Sequence, residues 1–136
     1  MNERKKIMLV DDNKAFIEAL KVILSLRNDV EVIAEAYNGK EFTEKITTNL
    51  PDIVLLDINM PLIDGITAAN ICLKINPNLK LLAVTMSDAA DLHRKIKNAG
   101  FTGAILKTQF SEHFDIALDN INKGEQFFPL LNKLIN

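Results

Sequence analysis

Five short apolar runs, rich in Val, Ile and Leu, alternate along this chain with segments whose apolar residues recur at helical spacing. Runs that are apolar throughout are typical of strands in a parallel sheet, because helices cover both faces of such a sheet. The alternation predicts an α/β fold in which each strand is followed by a helix. The predicted strands are residues 7–10, 30–34, 53–56, 79–84 and 104–106.

Each of the five segments between and after these strands carries one apolar stripe, such as Phe16, Leu20 and Ile23 in the first. Proline disfavours helical torsion angles in the residue before it, and glycine suits the left-handed end of a helix. We therefore expect prolines to end the second and third helices, glycines to end the fourth and fifth, and a serine to cap the fifth. These residues are Pro51, Pro77, Gly100, Gly124 and Ser111.

Right-handed crossovers favour the doubly wound strand order 2-1-3-4-5 for this number of strands. The prediction is a flavodoxin-like (βα)5 three-layer sandwich around a five-stranded parallel sheet. The third helix, over residues 66–75, is expected to be the most buried one. Ligands of such sheets bind at the carboxyl ends of the strands, at the switch point between strands one and three.

Chain length and charge exclude several classes of protein. The 136 residues form one domain at roughly 150 residues per domain, and 16 Lys and Arg against 18 Asp and Glu leave no basic stripe for nucleic acid. A single cysteine, no signal-peptide pattern and no apolar run of about 20 residues predict a cytoplasmic protein with no membrane contact. His93 and His113 have no cysteine nearby for a zinc site and are expected at the surface.

Polar residues stand directly after four of the five predicted strands: Asp11 and Asp12, Asp57, Thr85, and Lys107. Each alone has an ordinary explanation, since Asp caps helices and closes turns and Lys is commonly a solvated charge. Together they converge on one end of the sheet. Two carboxylates ~5 Å apart repel by about 3 kcal/mol at an effective dielectric of about 20, and a divalent cation with a preference for oxygen would offset that repulsion. We therefore predict a Mg²⁺ site.

An acidic pocket with Mg²⁺, a lysine and a threonine has the parts for phosphoryl transfer to a carboxylate. The metal and Lys107 would neutralise the phosphoryl oxygens while Asp57 attacks in line, which gives an aspartyl phosphate. We expect no turnover enzyme here, only self-phosphorylation and slow autodephosphorylation.

The chain resembles the receiver domain of bacterial two-component response regulators over residues 6 to about 123. Single elements of the pattern are weak, but their order and spacing together are specific. The resemblance implies that Asp57 accepts a phosphoryl group from a sensor histidine kinase or phosphotransfer protein, that Thr85 and Lys107 hold the phosphoryl oxygens, and that Gly65 supplies a permissive torsion angle. It also implies a Mg²⁺ ligand set of Asp11 through water, Asp12, Asp57 and the backbone carbonyl of Asn59. The matching residues are Val10-Asp11-Asp12, Asp57-Ile58-Asn59-Met60-Pro61, Asp64-Gly65, Thr85 and Lys107.

Three positions depart from the family pattern. Lys107 is followed by Thr108 where the family often has proline, and Ala104 stands where it usually has an aromatic that turns inward on activation. Met86 replaces a commonly small residue and is expected to slow exchange with small phosphodonors. We expect output to travel through the fourth helix or a dimer face.

Residues 124–136 are strongly apolar and are similar to the linker of the NarL/LuxR class of regulators, which end in a helix-turn-helix domain. The prediction is a receiver domain over 1–123, followed by a linker or an extra helix over 124–136. A DNA-binding output domain, absent from this chain, would then control transcription. A stand-alone receiver that docks this tail on a partner, or a sixth helix packed on its own domain, remains open.

Other classes with this topology fit less well. A haloacid dehalogenase-type hydrolase needs a second aspartate where Asn59 stands. A flavodoxin-like electron carrier binds phosphate after strand one, where Asp11 and Asp12 would repel it. A receiver that acts as a protein-interaction module without phosphorylation stays an alternative.

Overall fold

The computed structural model describes residues 3–131, and its architecture is the predicted one. All five strands are parallel and lie in the order β2-β1-β3-β4-β5. A 3₁₀ turn, Lys107–Gln109, leads into the last helix. The elements are β1 Lys5–Val10, α1 Lys14–Ser25, β2 Val30–Ala36, α2 Gly39–Lys45, β3 Ile53–Leu56, α3 Gly65–Ile75, β4 Lys80–Thr85, α4 Ala90–Asn98, β5 Gly103–Leu106 and α5 Phe110–Asn122.

Two apolar layers cover the sheet, because alternate strand residues point to opposite faces. Met8 and Val10 of β1 pack in one layer with residues of α2, α3 and α4. Ile7 and Leu9 pack in the other layer with α1 and α5. The inner strand β3 is therefore buried on both sides, which is why its sequence shows no alternation of apolar and polar residues, whereas the edge strand β2 is only partly buried.

Three predictions about the helices are wrong. The helix α3 is not the most buried one, since it buries four of its 11 residues and α5 buries five of its 13. Ser111 does not cap α5, because that helix begins at Phe110 and follows directly from the 3₁₀ turn. His93 is buried rather than on the surface, since it lies one turn before Ile96 on the apolar face of α4.

Residues 124–131 pack along the free edge of β5. The Ala104 N–H donates to the Phe127 carbonyl at 2.9 Å, and the Phe127 N–H donates to the Thr102 carbonyl at 3.0 Å. Phe128 and Leu131 are buried in the same apolar layer as Ala104. A Cβ on Gly103 would lie 2.7 Å from the Phe127 carbonyl oxygen, so the close approach depends on glycine. The part of the predicted tail over 132–136 lies outside the described residues.

Over residues 3–131, no helix has the length and the hydropathy needed to cross a bilayer.

Candidate functional site

Two aspartates extend the hydrogen bonding of the sheet by one residue beyond β1 and β3. The Asp11 N–H donates to the Ala36 carbonyl at 3.1 Å, and the Asp57 N–H donates to the Val10 carbonyl at 2.9 Å. These bonds hold both side chains at the carboxyl edge of the sheet, where both are buried. Asp12 is exposed beside them, and carboxylate oxygens of all three residues lie within 4.8 Å of one another. The predicted convergence of carboxylates is therefore present.

The same segment also forms the turn and the helix cap that its residue types favour. An Asp11 carboxylate oxygen accepts from the Asn13 N–H at 2.9 Å, and the Asn13 side chain accepts from the Phe16 N–H at 3.0 Å to cap α1. The turn uses one oxygen of Asp11. The carboxylates of Asp12 and Asp57 take no part in it.

Lys107 brings its ammonium into this cluster from the end of β5. Its Nζ lies 2.7 Å from an Asp11 oxygen and 3.7 Å from an Asp57 oxygen. The same Nζ lies 4.7 Å from the centre of the Phe16 ring, close enough for a cation–π interaction. The sequence pattern assigned Phe16 to the apolar stripe of the first helix and not to the site, because its contact with Lys107 depends on where α1 passes the end of β5. One ammonium against three carboxylates leaves net negative charge at this edge.

Burial of the Asp57 carboxyl raises its pKa to about 6, and the neighbouring charge of Asp11 adds to the rise. Lys107 and the backbone N–H groups of Asn59 and Ile58 lower that pKa by smaller amounts. The folded protein thus holds Asp57 as a carboxylate at neutral pH against unfavourable electrostatics. A bound cation would relieve that repulsion.

Two further residues of the predicted site, Thr85 and Asn59, differ in exposure. Thr85 is fully buried at the end of β4, paired in register with Leu106, the residue before Lys107. Its hydroxyl oxygen accepts from the Ser87 N–H at 3.2 Å. Asn59 is exposed on the loop after Asp57.

Gly65 supports the Asp57 loop in a different way from the one predicted. Positive φ angles on the described glycines occur at Gly100 and Gly124, so Gly65 does not supply a left-handed torsion. A Cβ at Gly65 would instead lie 2.3 Å from the Asp57 carbonyl oxygen and 2.8 Å from the Ile58 Cα. Its N–H donates to the Ile58 carbonyl at 2.8 Å. Glycine is needed here because α3 begins in contact with the backbone of the Asp57 loop.

Comparisons with known proteins identify the family of the chain. The family profile of the response regulator receiver domain matches residues 7–119. The transcriptional regulatory protein DegU of Brevibacillus brevis is 32% identical over 125 residues, which cover 91% of this chain and 53% of DegU. The oxygen regulatory protein NreC of Staphylococcus aureus is 31% identical over 134 residues, 96% of this chain and 62% of NreC. The chain thus spans between half and two thirds of the length of these relatives.

Solved structures share the fold. A two-component response regulator of the LuxR family from Aurantimonas sp. SI85-9A1 superposes with a TM-score of 0.86 and 26% identity, over 92% of this chain and 89% of that one. The receiver domain of a NarL regulator from Mycobacterium tuberculosis gives a TM-score of 0.72 at 30% identity, over 77% and 85% of the two chains.

Proposed function

Because the chain belongs to the response regulator receiver family, we propose that it accepts a phosphoryl group on Asp57 from a histidine kinase or phosphotransfer protein of a two-component system. The observation that carries the proposal is the cluster of three carboxylates within 4.8 Å, with the Lys107 ammonium 3.7 Å from Asp57. The relatives DegU, a transcriptional regulatory protein, and NreC, an oxygen regulatory protein, are both longer, since the chain covers 53% and 62% of their lengths.

In the proposed reaction, a carboxylate oxygen of Asp57 attacks the phosphorus of a phosphohistidine. The new P–O bond forms as the P–N bond breaks, and the electron pair of that bond leaves with the imidazole nitrogen of the donor. Lys107 is within reach of the phosphoryl oxygens, where its charge offsets the charge that builds up on them. The Thr85 hydroxyl accepts a hydrogen bond from Ser87 and keeps its own proton available to donate to a phosphoryl oxygen.

The donor set fits Mg²⁺, since the cluster is built of carboxylate oxygens and lies open to water on the side of Asp12. Asp12 and Asp57 would hold the ion directly, Asp11 through water, and Asn59 through its backbone carbonyl. When bound, the ion supplies positive charge that balances the carboxylates and the incoming phosphoryl oxygens. An Asp11 carboxylate oxygen already lies 2.7 Å from the Lys107 Nζ, which suits binding of the metal through water rather than directly.

The proposed output is a shift between two conformations of the receiver. Added charge on Asp57 draws the Thr85 hydroxyl and the following loop inward, which changes a surface that recognises a partner or a second copy of the chain. In the cytoplasm of the source organism this would control transcription through a DNA-binding domain outside this sequence, as the regulatory names of its relatives suggest.

Intact-mass spectrometry with Mg²⁺ and acetyl phosphate tests the proposal. We expect the native chain to gain one phosphoryl group, Asp57→Asn to gain none, and Asp88→Asn to behave like the native chain. Asp88 is the matched control because it is exposed on the loop after β4. Omission of Mg²⁺ should abolish the mass gain.

Each alternative predicts a different result. Labelling of Asp57→Asn to the native level would show that another residue accepts the phosphoryl group. Absence of labelling in the native chain, with Mg²⁺ and with a cognate kinase, would refute the proposal in favour of a phosphorylation-independent interaction module. Continuous release of inorganic phosphate from small esters would indicate a hydrolase.

A further inference from the structure

The buried histidine of α4 contacts the backbone of the loop that follows Thr85. His93 is 1% exposed, and its Nε2 lies 2.8 Å from the Ser87 carbonyl oxygen. A carbonyl oxygen can only accept, so Nε2 carries the proton and donates it. Within the described residues, Nδ1 of the same ring is buried and has no hydrogen-bond partner. Among the described residues, the ring therefore hydrogen-bonds only to the loop, through Nε2.

The backbone of Ser87 forms hydrogen bonds both with Thr85 in the site and with His93 on α4. Its N–H donates to the Thr85 hydroxyl oxygen at 3.2 Å, and its carbonyl accepts from His93. Two hydrogen bonds thus connect the threonine at the end of β4 to a side chain in the first turns of α4. Both bonds use backbone atoms of Ser87, so they do not depend on its side chain.

The start of α4 has few other attachments to this loop. Ala89 stands at the N-cap position and offers no side-chain hydrogen bond, unlike the caps of α1, α2 and α3. The Ser87 hydroxyl accepts from the Ala89 N–H at 3.2 Å, which ties the loop to the N-cap residue but to no residue within Ala90–Asn98. Among residues 3–131, His93 supplies the side-chain bond between α4 and the loop.

We propose that His93 is a positioning residue that makes α4 follow the movement of Thr85 when Asp57 is phosphorylated. Displacement of Thr85 toward the phosphoryl group carries Ser87 with it, and the Ser87 carbonyl moves the His93 ring and the helix to which it is attached. The link supplies a route to α4 in a chain that has Ala104 where the family usually has an aromatic switch residue. This inference rests on the proposed phosphorylation of Asp57.

Amide ¹H–¹⁵N spectra of the whole chain, with and without Mg²⁺ and beryllofluoride as a phosphoryl mimic, test the link. In the native chain we expect shifts around Asp57 and Thr85 and along α4, residues 90–98. In His93→Leu, which fills the buried position with an apolar side chain that cannot donate a hydrogen bond, the shifts around Asp57 should persist while those along α4 fall by more than half. His93→Gln should restore them, since its Nε2 lies the same number of bonds from Cα.

Two control variants separate the link from general packing. His113→Leu changes the other histidine, which lies on α5 with its ring edge-on to Phe127 and has a buried Nδ1 with no hydrogen-bond partner among residues 3–131. Ser87→Ala removes the hydroxyl but keeps both backbone bonds. Both controls should retain the native α4 response.

A full α4 response in His93→Leu, or an equal loss in His113→Leu, would overturn the inference. If His93→Leu does not fold, the imidazole ¹⁵N spectrum of the native chain decides. The inference requires a protonated, hydrogen-bonded Nε2 that shifts on addition of beryllofluoride, and an unchanged signal would refute it. Intact mass after acetyl phosphate treatment, measured on each variant, shows separately whether Asp57 is phosphorylated. A native chain without phosphate would refute the proposed function and the inference together.

Discussion

Replacement of Asp57 by asparagine should stabilise the folded protein in the absence of divalent cations. The pKa of the buried Asp57 carboxyl rises from 3.8 to about 6, which at about 1.4 kcal/mol per pKa unit corresponds to about 3 kcal/mol. This is the free energy by which the fold disfavours the ionised carboxylate at neutral pH. Asparagine has nearly the same shape without the charge, and Lys107 keeps its nearer partner, Asp11, at 2.7 Å.

The pH dependence of the effect has a defined sign. In the unfolded chain the carboxyl ionises near 3.8, and in the folded chain it ionises near 6. Above pH 6 both states are ionised and the full penalty applies. As the pH falls toward 4, the folded state takes up the proton first and the penalty fades. The stability advantage of Asp57→Asn over the native chain should therefore be about 3 kcal/mol at pH 7 and should shrink toward zero near pH 4.

Urea unfolding followed by circular dichroism measures this difference at several pH values, with EDTA and then with Mg²⁺. Asp88→Asn is the control and should stay within about 0.5 kcal/mol of the native chain, because it alters an exposed residue. Mg²⁺ at about 100 times its dissociation constant should stabilise the native chain by about 2.7 kcal/mol and Asp57→Asn by less. An Asp57→Asn variant that is no more stable than the native chain at pH 7 without Mg²⁺ would refute the electrostatic reasoning.

Three further substitutions probe other parts of the fold. Gly65→Ala should lower the free energy of unfolding by about 1–3 kcal/mol and slow acetyl phosphate labelling, because its Cβ would displace the Asp57 carbonyl. Gly124→Ala, whose Cβ meets no atom within 4 Å, should lower it by about 1–2 kcal/mol because of its φ of +75° and leave labelling unchanged. Equal labelling rates in the two variants would contradict the contact at Gly65. Phe128→Ala should lower the free energy of unfolding by about 3–5 kcal/mol, since the ring is 4% exposed, and a loss below 1 kcal/mol would show that the tail is not part of the folded unit. Met86→Ala should be labelled faster by acetyl phosphate than the native chain if this side chain crowds the site, and an unchanged rate would discard that hypothesis.

The tail shows where sequence patterns leave a choice open and where packing of residues 127–131 adds contacts that the sequence did not indicate. Its composition fits a linker, a docking segment or a sixth helix equally well, because all three need apolar residues. In the structure, Phe127 pairs with the β5 edge while Phe128 joins the core beside Ala104. The aromatic ring that β5 lacks is thus supplied to the same apolar layer by the tail. Short side chains at Gly103 and Ala104 allow the tail to approach this closely.

His93 and Gly65 show a second limit of sequence reasoning. Histidine is commonly exposed, so the sequence favours a surface position for His93. In the structure, His93 lies with Ile96 on the buried face of α4. Glycine after an aspartate suggests a left-handed turn, but the helix start simply touches the Asp57 backbone. In both cases the deciding contact joins residues from different elements.

Residue patterns alone predicted the order of the elements, the parallel sheet and the placement of Asp11, Asp12, Asp57, Thr85 and Lys107 at one edge. These predictions are possible because the spacing of apolar residues and the ends of strands can be recognised from neighbouring residues in the sequence, without knowing which elements pack together. Residue patterns did not indicate that Lys107 pairs more closely with Asp11 than with Asp57, that Phe16 lies under its ammonium, or that His93 bonds the loop after Thr85. Those facts depend on distances across the sheet and between helices, which are set by the packing of side chains from many segments at once.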